Sequence, residues 1–342
     1  MEQKSLRKER NSNLELLRIA AACGVLARHY DDGAAFVGAS KYFVFDMCDI
    51  FFAWVVTAFF MISGYCSFRR TEIDWKKPIK LYVQLVFFRL FGVLVTALWT
   101  RELSLRSLLV SFVPINYFFS LYIAVYLISP YLNRLSATLD REQKRRGLLI
   151  AVGVFSIWGY GIDLLSVPLD MNLGMATPLS ISGNMSGYNV VNFSLCYLIG
   201  AAIGDGTLKI RKPLLCYLGS TAVILLLRPY FSTYLASSFC SPFVLLQTAS
   251  VLCLFLSRDI GSVKWINRLA SACFTVYLTH LVLIAFVKRE AFADAHVLAM
   301  CAHLVLCVIG LYLAGFLLHE GYTFLSEPVF RAIWKTEKQK TD

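Results

Sequence analysis

The sequence of 342 residues has few charged side chains. Asp, Glu, Lys and Arg make up 16% of it, whereas 58% of the residues are hydrophobic. Soluble domains carry about 25% charged and roughly 45–50% apolar residues. Acidic residues are scarcer than basic ones, 22 against 33. This composition argues against a soluble domain and predicts that a lipid bilayer surrounds most of the chain.

The sequence also lacks the short motifs of several enzyme classes. It contains no P-loop and no dinucleotide-binding fingerprint, and its ten cysteines show no metal-ligand spacing. We therefore predict no metal site and no bound cofactor. The polar and basic start of the chain precedes an apolar segment without a small-residue cleavage site, so we expect a retained first helix instead of a cleaved signal peptide.

Apolar stretches of transmembrane length recur along the whole chain. They predict an all-α, polytopic integral membrane protein with about ten transmembrane helices, although Pro114 and Pro130 also leave room for nine or eleven. We divide the chain into a basic N-terminus (1–13), a transmembrane domain (14–320) and a tail (321–342). The stretches lie near residues 14–37, 43–68, 80–99, 107–132, 147–166, 188–204, 213–231, 240–257, 267–287 and 296–318.

Basic residues alternate between the two sets of connecting segments. The set that includes both termini holds 24 of the 33, and the opposite set holds 6. The positive-inside rule then predicts an even number of spans in the cell membrane, with both termini cytoplasmic. Most of the net charge of +11 is thus explained by topology, and we expect no nucleic-acid partner. The remaining three basic residues, Arg18, Arg28 and Arg89, lie inside predicted spans.

Arg18 and His29 lie on one face of the first predicted helix. Eleven residues at about 100° each return to within roughly 20° of the starting direction, with a rise of about 16 Å. Ionisable groups inside a span usually face a bundle interior or a cavity. An anchoring role for Arg18 and a helix-capping role for His29 fit the helix equally well.

The segment Asn13–Arg18, followed after ten residues by His29 and Tyr30, is the first of six motifs that occur in a fixed order. The others are Phe59–Tyr65, Lys76–Lys80, Asn116–Phe119 with Tyr122, Tyr126, Ser129 and Pro130, then Tyr197–Gly200, and Phe274–His280. Together they resemble the integral-membrane acyltransferase 3 family, whose signature is Arg-x10-His. The resemblance runs from about residue 11 to 334.

The resemblance implies an enzyme that takes an acyl group, commonly acetyl, from cytosolic acyl-CoA. The acceptor it implies is a sugar hydroxyl of a cell-surface glycan or of its lipid-linked precursor. A hydroxyl attacks a thioester once a positioned base removes its proton, and a histidine that titrates near neutrality suits this role. We expect His29 to be that base or an acyl relay. Arg18, nearer the cytosol, would pair with coenzyme A phosphates or hold the active-site network.

Other residues are candidates for binding or support. Lys77 and Lys80 stand where the family often has two arginines, and would bind acyl-CoA, or else only mark the cytoplasmic side. Arg89 would line the site, and its position in a span calls for a partner. Glu15, Asp46 and Asp49 are the candidates for that partner.

An acid that orients His29 would fix the tautomer of its ring. The family often has an acidic or amide residue where this chain has Thr57, so we expect Asp46 or Asp49 to hold His29 instead. Ser63, in the second motif, and His280, near the outer end of the ninth span, are further supporting candidates.

Two other functions also fit the pattern. A transporter or translocase of a glycan, lipid or amino acid would need intramembrane charges equally. A non-catalytic partner in a glycan-export system is the second alternative.

Overall fold

The computed structural model describes residues 11–32, 36–179 and 185–341, so most of the predicted basic N-terminus lies outside it. All regular elements within these ranges are helices, which confirms the all-α prediction. In chain order they are α1 (Ser12–Arg28), α2 (Ala39–Phe51), α3 (Val55–Ser67), α4 (Lys76–Thr100), α5 (Leu105–Val110), α6 (Tyr117–Thr138), α7 (Arg141–Val152), α8 (Gly159–Ser166), α9 (Val190–Gly204), α10 (Pro213–Leu227), α11 (Thr233–Ala236), α12 (Pro242–Leu256), α13 (Lys264–Ser271), α14 (Cys273–Ile284) and α15 (Val297–Thr341).

Each of the ten predicted apolar stretches contains at least one helix. By length and composition, four helical segments of the described chain can cross a membrane: Ser40–Ser67, Lys76–Thr100, Arg141–Ser166 and Val297–Trp334. A fifth arises if α13 and α14, which are bent by 49°, form one span. Helices α9, α10 and α12 are apolar but shorter. The apolar helices indicate a multi-pass membrane protein, and the number ten remains a prediction.

Several predicted spans are interrupted. The second divides into α2 and α3, and the fourth into α5 and α6, where Pro114 lies in the irregular connection. A π-helical segment, Gly153–Trp158, joins α7 to α8. At the C-terminal end, α15 continues through residue 321, so the predicted domain and tail share one helix.

Helix α1 occupies the centre of the bundle, where it packs against α2, α3, α12, α13, α14 and α15. Its start is fixed by hydrogen bonds with α13 and with the loop before α13. The Ser12 hydroxyl donates to Asn267 Oδ1 at 2.8 Å, and Asn13 Oδ1 accepts from the Ile260 amide at 3.1 Å. These contacts set the height and rotation of the helix that carries Arg18.

Helices α3 and α9 meet with their backbones in close contact. A Cβ atom on Gly64 would lie 1.9 Å from the Tyr197 carbonyl oxygen, and one on Gly200 would lie 2.0 Å from the Met61 carbonyl oxygen. Only glycine fits at either position, because the neighbouring atoms belong to a backbone and cannot rotate away. The crossing fixes α3 against the bundle and so positions Ser63.

Candidate active site

A cavity of about 320 Å³ opens between α1, α3, α4, α6 and the bend from α13 to α14. Five of the six motifs contribute to its walls, although they are far apart in the chain. The lining residues from these motifs are Glu15, Arg18, Phe59, Ser63, Lys77, Phe118, Tyr122, Phe274 and Tyr277. The fold therefore brings together Glu15, Arg18, Ser63 and Lys77, which the sequence analysis singled out separately.

Arg18 forms an ion pair with Glu15 at the wall of this cavity. The Arg18 Nη1 to Glu15 Oε1 distance is 2.5 Å, and the side chains are 29% and 8% exposed, respectively. The other terminal nitrogen, Nη2, lies 3.9 Å from Cys66 Sγ. Glu15 thus neutralises the guanidinium while donors remain for a ligand.

Lys77 provides the second cation. Its Nζ donates to the Tyr122 hydroxyl at 3.0 Å, and this hydroxyl lies 3.3 Å from Ser63 Oγ. The ammonium group also lies 4.7 Å from the centre of the Tyr126 ring. Two cations on different helices, of which one is paired with a carboxylate, suit an anionic group such as a phosphate.

His29 lies at the C-cap of α1, beyond the cavity that Arg18 lines. Its Nδ1 is 2.5 Å from Asp32 Oδ2, and its side chain is 39% exposed. A carboxylate accepts hydrogen bonds, so Nδ1 carries the proton and the lone pair of the neutral ring is on Nε2. This tautomer suits a base that removes a proton from a hydroxyl.

The expectation that Asp46 or Asp49 holds His29 is wrong. Asp46 accepts hydrogen bonds from Arg228 at 2.6 Å and from the Thr233 hydroxyl at 2.5 Å. Asp49 pairs with Arg28 at 2.8 Å. The chain turns directly after α1, and this turn brings the side chain of Asp32, three residues after His29, into contact with the His29 ring. A histidine with a carboxylate at i+3 was the sequence signal for this pair.

His280 packs beside His29, with the ring centroids 5.0 Å apart. It is buried, and its Nδ1 donates to the Tyr277 carbonyl oxygen at 2.6 Å. Tyr277 in turn lines the cavity. Cys273, at the start of α14, lines the cavity together with Arg18, and His280, seven residues later, packs against His29. Helices α1 and α14 therefore run in the same direction, from the cavity to the two histidines.

Arg289, in the connection between α14 and α15, holds the segment after α1. It is buried and donates to the carbonyl oxygens of Tyr30 at 2.6 Å and Asp32 at 2.8 Å. No motif in the sequence indicated the role of Arg289, since it depends on a contact across the bundle.

Lys80 and Arg89 do not line the cavity. The Lys80 ammonium lies 4.9 Å from the centre of the Trp334 ring on α15. Arg89 donates to the Val113 carbonyl oxygen at 2.9 Å, so the expectation that Glu15, Asp46 or Asp49 pairs with it is wrong. Lys80 is thus directed to α15, and Arg89 is directed to the connection between α5 and α6.

The pair of Arg18 and Glu15 makes a testable contribution to stability. We expect Arg18→Ala to lower the free energy of unfolding by about 1–3 kcal/mol, because it leaves the buried Glu15 carboxylate without its partner. The double variant Arg18→Ala/Glu15→Gln should recover part of this loss. Denaturant unfolding in detergent micelles measures both changes.

The control for this prediction is Arg331→Ala, which breaks the exposed pair with Glu327. We expect a cost of only about 0–1 kcal/mol there, since water solvates exposed charges. Equal losses for Arg18→Ala and Arg331→Ala would contradict a buried role for the cavity pair.

Within the described residues, no group of three His, Cys, Asp or Glu side chains is arranged to hold a metal ion.

Comparison with known proteins assigns the family. Searches for similar curated proteins and for similar solved structures find no match. The family model described as an acyltransferase domain, however, matches residues 11–320 of this sequence, which include all six motifs and the whole cavity. The chain therefore belongs to the acyltransferase 3 family.

Proposed function

We propose that the protein is a membrane-bound O-acyltransferase that moves an acetyl group from cytosolic acetyl-CoA to a sugar hydroxyl of a cell-surface glycan or its precursor. Membership of the acyltransferase 3 family implies a membrane acyltransferase. The observation that carries the finer proposal is the arrangement along α1: a cavity with two cations, then a histidine held by a carboxylate.

The cavity is the proposed donor site. Coenzyme A carries several phosphates, and Arg18 and Lys77 provide charge-assisted donors for them. The Arg18 guanidinium matches a phosphate through two parallel hydrogen bonds, whereas the Lys77 ammonium acts as a point charge. Arg18 and His29 are separated by about 16 Å along the helix axis. The thioester of coenzyme A is at the end of a long flexible arm, which suits this separation between phosphate site and base.

His29 is the proposed general base. Its Nδ1–H donates to Asp32, so Nε2 is the atom that accepts the proton of the acceptor hydroxyl. The hydroxyl oxygen then bonds to the thioester carbonyl carbon, and the carbon–sulfur bond breaks. The proton on His29 finally passes to the departing thiolate, so the products are an ester and a free thiol. Arg289 supports this step, since it fixes the backbone of Asp32.

Kinetics with a varied donor concentration test the donor site. We expect Lys77→Ala to raise the KM for acetyl-CoA about tenfold, which corresponds to the loss of one charge-assisted hydrogen bond. The kcat should change less, because Lys77 is remote from His29. Transfer of radiolabelled acetyl to membrane glycan provides the readout.

Lys76→Ala is the matched control, because Lys76 lies on the same turn of α4 but stacks on Trp334 and does not line the cavity. Its KM should equal that of the unaltered protein. Equal increases for Lys76→Ala and Lys77→Ala would show a general effect of charge and would refute a specific donor site.

A further inference from the structure

A second cavity of about 530 Å³ lies between α4, α5 and α14, and the acyl-transfer proposal does not use it. Its apolar wall includes Leu278 and Val282 on α14, which lie on the side of that helix opposite His280. Its polar wall combines Arg89 with a row of hydroxyl side chains. These are Thr96, Thr100, Ser104 and Ser107.

Arg89 is a cation in the middle of a membrane-spanning helix. It lies thirteen residues after Lys76, or about 20 Å along α4, which is one of the four segments long and apolar enough to cross a membrane. In the described part of the chain, no carboxylate lies within ion-pair distance of Arg89. Glu102 also lines the cavity, but it is exposed and does not pair with Arg89. Its hydrogen bond to Val113 uses one of five N–H donors. An ionisable group at this depth indicates a functional site.

The backbone beside Arg89 is irregular. Between α5 and α6, the Phe112 carbonyl oxygen accepts from the Tyr82 hydroxyl at 2.6 Å, and the Val113 carbonyl oxygen accepts from Arg89. Arg89 lies in the middle of α4 and Tyr82 about two turns before it, so this connection runs alongside the membrane-spanning part of α4. Irregular backbone at membrane depth occurs where it is buried in protein or lines a polar cavity. Both features favour a polar ligand in a largely apolar layer.

The rim of the cavity indicates where the ligand comes from. Large apolar side chains at the end of α4 and along α5 are exposed: Leu98, Trp99, Leu105 and Leu109. Such side chains face lipid in a membrane protein, so the cavity is accessible from the bilayer. A ligand that enters there has an apolar tail, and its polar end must be anionic to match Arg89.

We propose that this cavity binds the phosphate group of a membrane lipid, with Arg89 as its counter-ion. The Thr100 hydroxyl donates to the Thr96 carbonyl oxygen. The Arg89 guanidinium together with the hydroxyls of Thr96, Ser104 and Ser107 still offers more donors than the two oxygens of a carboxylate require, whereas a phosphate has enough acceptor oxygens for them. The identity of this lipid rests on the proposed function: under acyl transfer to a glycan precursor, the lipid is the carrier of a lipid-linked saccharide acceptor. Its phosphate then stays on one side of α14 while the sugar reaches His29 on the other.

Lipid binding to the purified full-length protein in detergent micelles tests this proposal. The probe is dioleoyl phosphatidic acid, and the comparison is dioleoylglycerol, which has the same tails without the phosphate. We expect phosphatidic acid to bind at least about tenfold more tightly, as measured by native mass spectrometry. Arg89→Gln should remove this preference, whereas Arg331→Gln, which removes an exposed and distant charge, should retain it.

Ser107→Phe is the second variant, because it fills the cavity without removing the Arg89 to Val113 hydrogen bond. It should weaken phosphatidic acid binding about tenfold even if Arg89→Gln fails to fold. Equal binding of the two lipids, or unchanged binding in Ser107→Phe, would overturn the proposal. Displacement of phosphatidic acid by an equal concentration of inorganic phosphate would also overturn it, since the site would then take free phosphate.

The binding measurement uses no acyl donor, so it separates the two proposals. Phosphate-dependent lipid binding by a protein that transfers no acyl group would refute the proposed function and leave the lipid site intact. Acyl transfer without any preference for the phosphate lipid would refute the site alone.

Discussion

Replacing His29 by alanine should lower the rate of acyl transfer by about 10²- to 10⁴-fold, because a general base contributes a factor of that size. The variant retains the cavity with Arg18 and Lys77, so the KM for acetyl-CoA should change little. His29 is 39% exposed at the end of α1, and its loss should leave the fold intact. The measurement is transfer of labelled acetyl to glycan at saturating donor, normalised to the amount of folded protein.

Two variants refine the His29 prediction. His296→Ala serves as the control, since the His296 side chain accepts a hydrogen bond from the Leu298 amide at the start of α15 and does not line the cavity. Asp32→Asn should cause a smaller loss than His29→Ala, because the base remains but its tautomer is no longer fixed. A rate for His29→Ala equal to that of His296→Ala would rule out a catalytic role for His29.

Gly64→Ala should destabilise the protein by about 3 kcal/mol or more, and it should reduce the yield of folded protein. The new Cβ would lie 1.9 Å from the Tyr197 carbonyl oxygen, so α3 and α9 have to move apart. Overpacking usually costs about 1–3 kcal/mol when side chains can rotate, and a clash with backbone lies at or above this range. Thermal unfolding in detergent measures the change.

Gly147→Ala is the control for the glycine prediction. Gly147 lies inside α7, and a Cβ there would have no heavy atom within 4 Å. We expect this variant to be neutral or more stable by up to about 1 kcal/mol, because alanine favours the helix. Equal destabilisation by the two substitutions would contradict the close crossing of α3 and α9.

Much of the fold follows from hydrophobic patterning. Apolar stretches of transmembrane length predicted helices throughout the chain, and Pro114 marked the connection between α5 and α6. The divisions within spans were less predictable. The break between α2 and α3 and the bend between α13 and α14 occur in apolar sequence without proline, since packing against neighbouring helices determines them.

The candidate site was predictable in part, for a physical reason. The motifs contained Arg18, Ser63 and Lys77, and the fold assembles them around one cavity. The partners of Asp46, Asp49 and Arg89 were not predictable, because they depend on contacts between elements that are far apart in the chain. Asp46 forms an ion pair with Arg228, and Arg89 donates a hydrogen bond to the Val113 carbonyl oxygen. The local pairs of Arg18 with Glu15 and of His29 with Asp32 had a signal in the sequence, namely their i,i+3 spacing.

The central claim is acyl transfer, and the most direct test uses the purified protein in proteoliposomes. Radiolabelled acetyl-CoA is supplied on the side that Arg18 faces, together with a saccharide acceptor, and both ester formation and movement of the saccharide across the bilayer are measured. The acyl-transfer proposal predicts a labelled ester that forms only with acetyl-CoA and disappears in His29→Ala. Movement of the saccharide without acetyl-CoA and without ester would contradict it and would support a transporter.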